Sequence, residues 1–439
     1  MSDHRQRALI VAYAFPPVGG AGVQRVSKLA KYLSLHGFTP QVLTAANPSV
    51  PLTDESLLRD LPPDLEVIRA RSLEPSYAAK KVAWEAAADV KPSRSKSLVR
   101  FASGLVRQFA FPDIQLLWTP GASAALASLL VRRPPDVVLI SGPPFSQFLL
   151  APLARTRAAV VLDYRDEWSL IRGAYEMTRS TIARVVGDPL EALLLRTAHM
   201  VTTATEEFRQ NLLDRFSFLD PSAVVTIPNG YDPEDFPKAL PSPPTDRFVM
   251  SHVGTVFKLT SPTGLLGAIR RLHETEPDLA RLMDVKFIGR IVDLEAAAFE
   301  GMEALGVQRI GYLDHTEAVR ALASSHLVLT ILDDTPGVER IYPAKIFEAM
   351  YIGRPSLTLA PEGALTRLVE RHKIGDCLPP RDEAAICALL VAKLRAFCDG
   401  QAAPMIAPIG IEQFDRRVIA GQFAAVMRTA IARGSNANR

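Results

Sequence analysis

The 439-residue sequence predicts an α/β fold with two doubly wound domains, each built on a parallel sheet. Short apolar runs alternate with longer helical patterns, which is typical of β-α-β units. A proline-rich connector at residues 237–246 interrupts this alternation, which then begins again. The content of 48% hydrophobic and 22% charged residues is ordinary for a globular protein and excludes a disordered chain.

The first domain is predicted over residues 1–238. Its first apolar run leads into a loop and then into a helix at Gly22–His36. Further apolar runs predict buried strands, as expected for a parallel sheet covered on both faces. The strand candidates are Ala8–Tyr13, Gln41–Thr44, Asp136–Ile140, Val160–Asp163, Met200–Thr203 and Val224–Ile227.

The second domain is predicted over residues 245–405, followed by a C-terminal segment at residues 406–439. That segment contains an amphipathic helix at Ile411–Ala432 with no strand partner. The strand candidates of the second domain are Phe248–Val253, Val285–Ile288, Leu327–Leu332 and Ser356–Leu359. Its helix candidates are Pro262–His273, Asp293–Leu305, Pro343–Tyr351 and Ala384–Cys398.

Charge and cysteine content limit the classes of function. The formal net charge is +3, so a nucleic-acid partner is not expected. The 3 cysteines imply no disulfide framework and favour a reducing, cytoplasmic compartment. The first apolar run is short for a signal peptide, and Gly142-Pro143-Pro144 breaks the uncharged run Val137–Ala154. Neither a signal peptide nor a membrane-spanning helix is therefore expected.

A glycine-rich loop follows the first strand and opens the first helix. Gly19, Gly20 and Gly22 would let backbone amides approach an anion, and the helix N-terminus adds a favourable partial charge. We expect a phosphate- or acceptor-binding loop, with a plain turn as the alternative. The loop does not match the dinucleotide fingerprint, because Arg25 stands where a third glycine is needed. A nicotinamide-dependent oxidoreductase is thereby disfavoured.

Seven segments follow one another along the chain in an order that is informative about its family. They are "ALIVAYAFPPVGGAGVQRVSKLAKYLSLHGFTPQVLT", "FPDIQLLW", "DVVLISGPPFSQFLLA", "LDYRDEW", "IPNGYDPEDF", "SHVGTVF" and "YPAKIFEAMYIGRPSL". Together they resemble retaining glycosyltransferases of family 4, and the resemblance spans nearly the whole chain. It implies the GT-B fold, with two Rossmann-like domains facing a central cleft and a C-terminal helix crossing back to the first domain. It also implies a nucleotide-diphosphate sugar on the second domain and a glycan or lipid-linked acceptor on the first.

The last of these segments carries the expected donor-binding residues. A carboxylate can accept two hydrogen bonds from the vicinal diol of a ribose, and the resemblance assigns this role to Glu348. Lys345, three residues earlier, would neutralise the diphosphate. Tyr342 opens the same segment and is expected beside the donor. The alternative is a surface Lys–Glu pair.

The sequence departs from the family in two places. Members often carry two glutamates separated by seven residues, but Arg340 stands at the expected first position and Glu339 is displaced by one. Members also place an arginine and a lysine after the first strand of the second domain. Here Lys258 and Arg290 are the candidates, and exposed basic residues without a role are the alternative.

An acidic loop follows the strand Val160–Asp163. Charged residues at the carboxyl end of a strand lie at the ligand-binding edge in this fold class. Asp166 is expected to orient or deprotonate an acceptor hydroxyl, and Arg165 to contact a phosphate or a neighbouring acid. The alternative is an internal Arg–Asp ion pair that braces the loop.

No metal site and no cofactor are expected. The 8 histidines are scattered without paired ligand spacing. Asp333-Asp334 is the adjacent acid pair at a strand end, and we interpret it as solvated turn acids. The resemblance implies that the diphosphate is positioned without a bound metal.

A basic stretch lies between residues 69 and 111. It holds nine basic and three acidic residues, and nine minus three gives an excess of +6. Apolar residues recur there at helical spacing: Leu98, Phe101, Leu105 and Phe109. Residues 91–111 are therefore a candidate for peripheral contact with the inner face of a membrane. A helix packed on its own domain is the alternative.

The sequence thus favours a retaining, metal-independent glycosyltransferase of bacterial surface polysaccharide assembly. The expected catalytic residues are Asp166, Lys258 and Lys345, with transfer resting on positioning and on stabilisation of the departing diphosphate. The expected donor-binding residues are Gly19, Gly20, Gly22, Arg290, Tyr342, Lys345 and Glu348. A nucleotide-sugar epimerase of the same fold and a non-catalytic partner in polysaccharide assembly remain as alternatives.

Overall fold

The computed structural model describes residues 5–50, 52–80, 111–170, 181–401 and 405–437. The chain forms two compact units. The first comprises Met1–Ala204, Phe208–Ile227 and Ile419–Arg439, and the second comprises Thr205–Glu207 and Pro228–Val418. The first unit thus ends at Ile227, before the expected limit of 238. It also includes the C-terminal residues from Ile419 onward.

A parallel seven-stranded sheet forms the first unit, in the order β3-β2-β1-β4-β5-β6-β7. Its strands are β1 (Gln6–Val11), β2 (Phe38–Ala45), β3 (Glu66–Ala70), β4 (Val137–Gly142), β5 (Ala159–Tyr164), β6 (Met200–Thr203) and β7 (Val224–Thr226). The strand order reverses at β1, which pairs with β2 on one side and β4 on the other. Ligands of doubly wound sheets bind at the carboxyl ends of the strands beside such a reversal.

The second unit has a parallel six-stranded sheet in the order β10-β9-β8-β11-β12-β13. Its strands are β8 (Phe248–Val253), β9 (Met283–Ile288), β10 (Val307–Ile310), β11 (Leu327–Ile331), β12 (Ser356–Leu359) and β13 (Gly375–Leu378). Here the order reverses at β8, which lies between β9 and β11. The loops after these three strands are therefore the expected ligand edge of this unit.

Helices cover both sheets. Those within the described residues are α1 (Ala21–Tyr32), α2 (Thr119–Arg132), α3 (Ala151–Ala154), α4 (Thr181–Leu195), α5 (Glu206–Arg215), α6 (Thr263–Thr275), α7 (Pro277–Ala280), α8 (Asp293–Ala296), α9 (His315–Ala323), α10 (Lys345–Ile352), α11 (Ala364–His372), α12 (Glu383–Cys398) and α13 (Arg416–Ala437). In the first unit one buried apolar layer includes α2, and the opposite layer includes α1 and α13. Phe423 and Met427 of α13 are fully buried in that second layer.

Two predicted helices differ from the structure. The helix expected over Asp293–Leu305 is broken into α8 and two short 3-10 turns, because Gly301 adopts a left-handed conformation with φ of 74°. The helix expected from Ile411 begins instead as a 3-10 turn at Ile411–Phe414, and α13 starts at Arg416. Pro343 lies just before α10 rather than inside it, as is common at helix boundaries.

One helical stretch of the described residues, Ile114–Arg132, meets the length and hydropathy of a membrane span, with a mean hydropathy of 1.5. Only 22% of it is buried. Ala122, Leu126 and Leu130 form its buried face and pack in the apolar layer over the first sheet. This pattern is also that of an outer helix in a doubly wound unit.

Candidate functional site

The glycine loop of the first unit is fixed to a neighbouring segment. The amide of Gly19 donates to the carbonyl of Leu52 at 3.1 Å, and the amide of Asp54 donates to the carbonyl of Pro17 at 2.7 Å. Gly20 is the N-cap of α1, with φ of 109°, and no side chain of the described residues caps this helix. The Gly19 amide is therefore already used, whereas the first turn of α1 stays open to an anion.

Arg165 binds backbone carbonyls of the loops around it. Its guanidinium donates to the carbonyl oxygens of Gly22, Gly142 and Pro143. A Cβ at Gly22 would lie 3.1 Å from Nη1 of Arg165, so a larger residue would crowd this contact. Burial lowers the pKa of the guanidinium below its ordinary value. Arg165 thus ties the start of α1 to the loop after β4, a role different from the expected phosphate contact.

An ion pair that the sequence did not indicate lies beneath this loop. Arg25 donates to both carboxylate oxygens of Asp163, at 3.1 and 2.8 Å. Ser141 and Thr202 donate their hydroxyls to the same carboxylate, each at 2.7 Å. Burial alone would raise the pKa of Asp163, but Arg25 and the hydroxyl donors hold it below its ordinary value.

This ion pair also reaches other parts of the first unit. Arg25 donates to the carbonyl of Ile227 at 2.9 Å, and its guanidinium lies 4.8 Å from the ring centroid of Phe423. The internal Arg–Asp pair is therefore Arg25–Asp163, and it joins α1, β5 and α13. No local pattern in the sequence signalled it, because its two residues are 138 positions apart.

Asp166 lies half-buried in the loop after β5. Burial raises the pKa of its carboxyl above the ordinary value, and attraction by Arg165 and Arg25 opposes this rise only in part. Its carboxylate has no hydrogen-bond partner among the residues that the structure describes. A carboxyl with a raised pKa suits proton exchange with a hydroxyl.

A buried polar cluster that was not predicted from the sequence lies in the segments after β3 and β4. Asp113 accepts hydrogen bonds from the amides of Phe145 and Ser146, at 2.6 and 3.0 Å. Burial raises the pKa of its carboxyl, and nearby Glu74 raises it further. Glu74 itself forms a buried ion pair with Lys80 at 2.5 Å. Asp113 belongs to the motif "FPDIQLLW", which was the available signal.

In the second unit, two glycines bring the loops after β8 and β9 together. Gly289 has φ of 126°, and a Cβ there would lie 2.3 Å from the carbonyl oxygen of Gly254. Lys258 extends from the loop after β8, is exposed, and has no ion-pair partner among the described residues. It lines a cavity of about 590 Å³ with Ser261, Thr263, Glu295, Asp333, Asp334 and Arg381, among others.

Lys345 and Glu348 form an ion pair on the first turn of α10. The ammonium of Lys345 donates to both carboxylate oxygens of Glu348, at 2.9 and 3.0 Å. Glu348 is only 4% exposed, so this is not the surface pair considered from the sequence. The neighbours of Glu348 on α10 are buried and apolar, which leaves Lys345 as its hydrogen-bond donor within the described chain.

Glu339 is bonded within its own turn. Its carboxylate accepts a hydrogen bond from the amide of Gly337 at 2.7 Å and pairs with Arg340. Its backbone packs against Gly363, where a Cβ would lie 2.4 Å from the Glu339 carbonyl oxygen. The displaced glutamate is therefore occupied by structural contacts.

The remaining predicted residues have fewer contacts. The Tyr342 ring packs edge-on against Phe347, and burial raises the pKa of its hydroxyl to about 12. The side chain of Arg290 is exposed, while its carbonyl accepts from the amide of Val256 at 2.8 Å. Asp333 is bound by Arg381 through two hydrogen bonds of 3.0 and 2.9 Å. Across the described ranges, no cluster of three or more potential metal ligands is present.

Comparisons with known proteins show similarity to glycosyltransferases. Residues 19–230 match the family described as "Glycosyl transferase 4-like domain". A D-inositol 3-phosphate glycosyltransferase from Stackebrandtia nassauensis is 25% identical over 210 residues, 45% of this chain and 46% of the relative. The chain thus spans about half the length of the curated relative that it matches.

Solved structures extend the likeness to the whole chain. Sucrose-phosphate synthase from Thermosynechococcus elongatus superposes with a TM-score of 0.66 at 16% identity, covering 98% of this chain and 100% of its own. Anabaena HepE, in complex with UDP and glucose, gives a TM-score of 0.55 at 14% identity, with 99% and 98% covered. At such identities the likeness concerns the fold. The chain therefore has the GT-B fold of glycosyltransferases, and its residues 19–230 match the glycosyl transferase 4-like domain.

Proposed function

We propose that this protein transfers a sugar from a nucleotide-diphosphate sugar to a hydroxyl of a glycan or lipid-linked acceptor, with retention of configuration. The observation that carries this proposal is the buried carboxylate of Glu348, whose one ion-pair partner within the described residues is Lys345 at the start of α10. Burying a carboxylate costs free energy that a single ion pair offsets poorly. A group kept at such a cost, beside a helix N-terminus, is a candidate for ligand binding.

The donor is assigned to the second unit. Its ribose hydroxyls donate to Glu348, and the cations of Lys345, Lys258 and Arg290 neutralise the diphosphate. The N-terminus of α10 adds a favourable partial charge for a phosphate, although the amides of Ile346 and Phe347 already donate to the carbonyls of Pro343 and Ala344. Tyr342 borders this region through its contact with Phe347. The complex of Anabaena HepE with UDP and glucose supports a nucleoside-diphosphate sugar as the donor class.

The acceptor is assigned to the first unit. Asp166 holds or deprotonates the attacking hydroxyl, which its raised pKa favours. The first turn of α1, behind Gly20 and Gly22, is open to an anionic group of the acceptor. Arg165 fixes this turn beside the Asp166 loop, so both parts of the acceptor site keep one geometry.

The chemical step rests on stabilising the leaving group. When the bond to the diphosphate breaks, negative charge grows on its terminal oxygen, and fixed cations and amides stabilise that charge. We propose retention and independence from a metal ion as parts of this mechanism. The bidentate Arg381–Asp333 contact supports metal independence, because it engages one of the two adjacent acids that would otherwise be candidate ligands.

The cellular setting is also a proposal. Bacterial surface polysaccharide assembly in the cytoplasm, at the inner face of the membrane, rests on the sequence resemblance. The proposed membrane contact at residues 91–111 falls almost wholly outside the described residues, so it rests on charge and apolar spacing alone.

One observation favours a second candidate, a non-catalytic member of the family. Glu339 is bonded to Gly337 and Arg340 rather than left available to a sugar. A chain that binds a donor without turning it over would fit this arrangement.

The test is a thermal-shift panel of UDP-, GDP-, ADP- and dTDP-sugars with and without EDTA, followed by product analysis of any hit. A ligand that binds the native state raises the melting temperature with its occupancy. We expect one metal-independent hit and transfer to an added acceptor with the anomeric configuration kept. A hit converted to another nucleotide sugar would identify an epimerase, and a hit without turnover the non-catalytic candidate.

A further inference from the structure

Lys345 and Glu348 satisfy each other's charge within a single helical turn. Both carboxylate oxygens of Glu348 accept from the same ammonium, and this ammonium donates to no other side chain within the described residues. The side chains are only 20% and 6% exposed. Water therefore substitutes poorly for either partner, and removing one leaves the other buried without a counter-charge.

A ribose that binds Glu348 competes with Lys345 for this carboxylate. Its two hydroxyls would donate to the same two oxygens to which Lys345 donates, and the Glu348 side chain is only 6% exposed, which limits the space around those oxygens. A nucleoside would take the carboxylate and leave the ammonium unpaired. A nucleoside diphosphate brings its own anion, so the ammonium exchanges one partner for another.

We propose that the Lys345–Glu348 pair is a specificity element that selects nucleoside diphosphates over nucleosides by this exchange of partners. The proposal rests on the donor site assigned above. It adds a free-energy cost to nucleoside binding, because the Lys345 ammonium is then left without a partner. Specificity of this kind comes from an unpaired group in the unwanted complex as much as from contacts in the wanted one.

The exchange predicts opposite effects of one substitution on two ligands. In Lys345→Met the aliphatic stem is kept and the charge is removed, so Glu348 is free before any ligand arrives. We expect the nucleoside to bind about fivefold tighter, the gain from no longer breaking a partly buried pair. The matching nucleoside diphosphate should bind at least about tenfold weaker, since a charge-assisted contact is lost.

The experiment measures affinities for UDP, GDP, ADP and dTDP and for the matching nucleosides, and uses the pair whose diphosphate binds the wild type best. Lys258→Met is the matched control, because Lys258 has no contact with Glu348. This variant should lower the affinity for the nucleoside diphosphate and leave the affinity for the nucleoside unchanged. Thermal melting of each variant checks folding. Lys345→Arg is the second variant and should restore part of the wild-type discrimination, since it keeps a cation.

The outcomes are distinct. If Lys345→Met binds the nucleoside more tightly and the nucleoside diphosphate more weakly than the wild type does, the result supports the exchange. Unchanged nucleoside affinity would mean that Lys345 contacts phosphate without guarding Glu348, and equal weakening of both ligands would mean a structural role; either result overturns the proposal. A folded wild type that binds no diphosphate of the panel refutes the donor site itself, and the proposal with it.

Discussion

The buried Arg25–Asp163 pair predicts a large loss of stability when one charge is removed. Arg25→Met leaves Asp163 only 1% exposed, with the hydroxyls of Ser141 and Thr202 as its remaining donors. Breaking a buried pair costs about 3–5 kcal/mol, and the two retained hydroxyls favour the lower end, about 3 kcal/mol. With a urea slope of about 3 kcal/mol per molar, the midpoint should fall by about 1 M.

Tryptophan emission is a selective assay for this effect. All three tryptophans, Trp84, Trp118 and Trp168, lie within the first unit, so their emission follows the unfolding of that unit. Arg433→Met is the matched control, because Arg433 pairs with Asp220 at a solvent-exposed position. We expect this control to shift the urea midpoint far less than Arg25→Met does, because an exposed pair contributes little to stability.

A double variant separates the ion pair from general packing. Arg25→Met with Asp163→Leu removes both charges and should be more stable than Arg25→Met alone, since no buried charge is left unpaired. A single variant that loses less than about 1 kcal/mol would refute the argument, as would a double variant less stable than the single one.

Two further predictions concern pH and membranes. Burial lowers the pKa of His199 to about 4, and its Nδ1 accepts from the amide of Val160 at 2.9 Å. The unfolded chain therefore takes up the proton first as the pH falls below 6.5, the ordinary pKa of histidine, and stability present at pH 7 is lost towards pH 4. Partial exposure limits this loss to about 2 kcal/mol at pH 4.5. In urea titrations followed by tryptophan emission, His199→Gln should flatten this pH dependence, and parallel profiles would contradict the assignment. For the membrane, replacing Lys91, Arg94, Lys96 and Arg100 by glutamine should remove about 1 kcal/mol of binding to anionic vesicles per residue. Co-sedimentation with anionic and neutral vesicles measures this, and binding that is unchanged, or equal on both, would count against it.

Much of the fold could be predicted from periodicity. Apolar runs such as Ala8–Tyr13 and Phe248–Val253 correspond to the central strands β1 and β8, because central parallel strands are buried on both faces. The edge strands β3, β10 and β13 were missed. Their burial patterns mix exposed and half-buried positions, so they lack the continuous apolar run that marks a central strand.

The residues of the candidate site also differ in how far the sequence could predict them. Glu348 and Lys345 could be found because a local spacing on one helix brings them together. The contact between Arg25 and Asp163 joins residues 138 positions apart, and no local pattern predicts such a pair. Asp113 lies in the motif "FPDIQLLW", but its burial could not be predicted, because it depends on amides of a loop 32 positions away.

The central claim is that Glu348 binds the nucleotide of a sugar donor, and calorimetry tests it most directly. The best nucleotide sugar of the panel is titrated into the wild type, Glu348→Ala and the surface control Glu303→Ala, whose carboxylate pairs with Arg309 in solvent. We predict that Glu348→Ala weakens binding at least about tenfold while its melting curve stays cooperative, and that Glu303→Ala binds like the wild type. Equal affinity in all three proteins would contradict the assignment of the donor site.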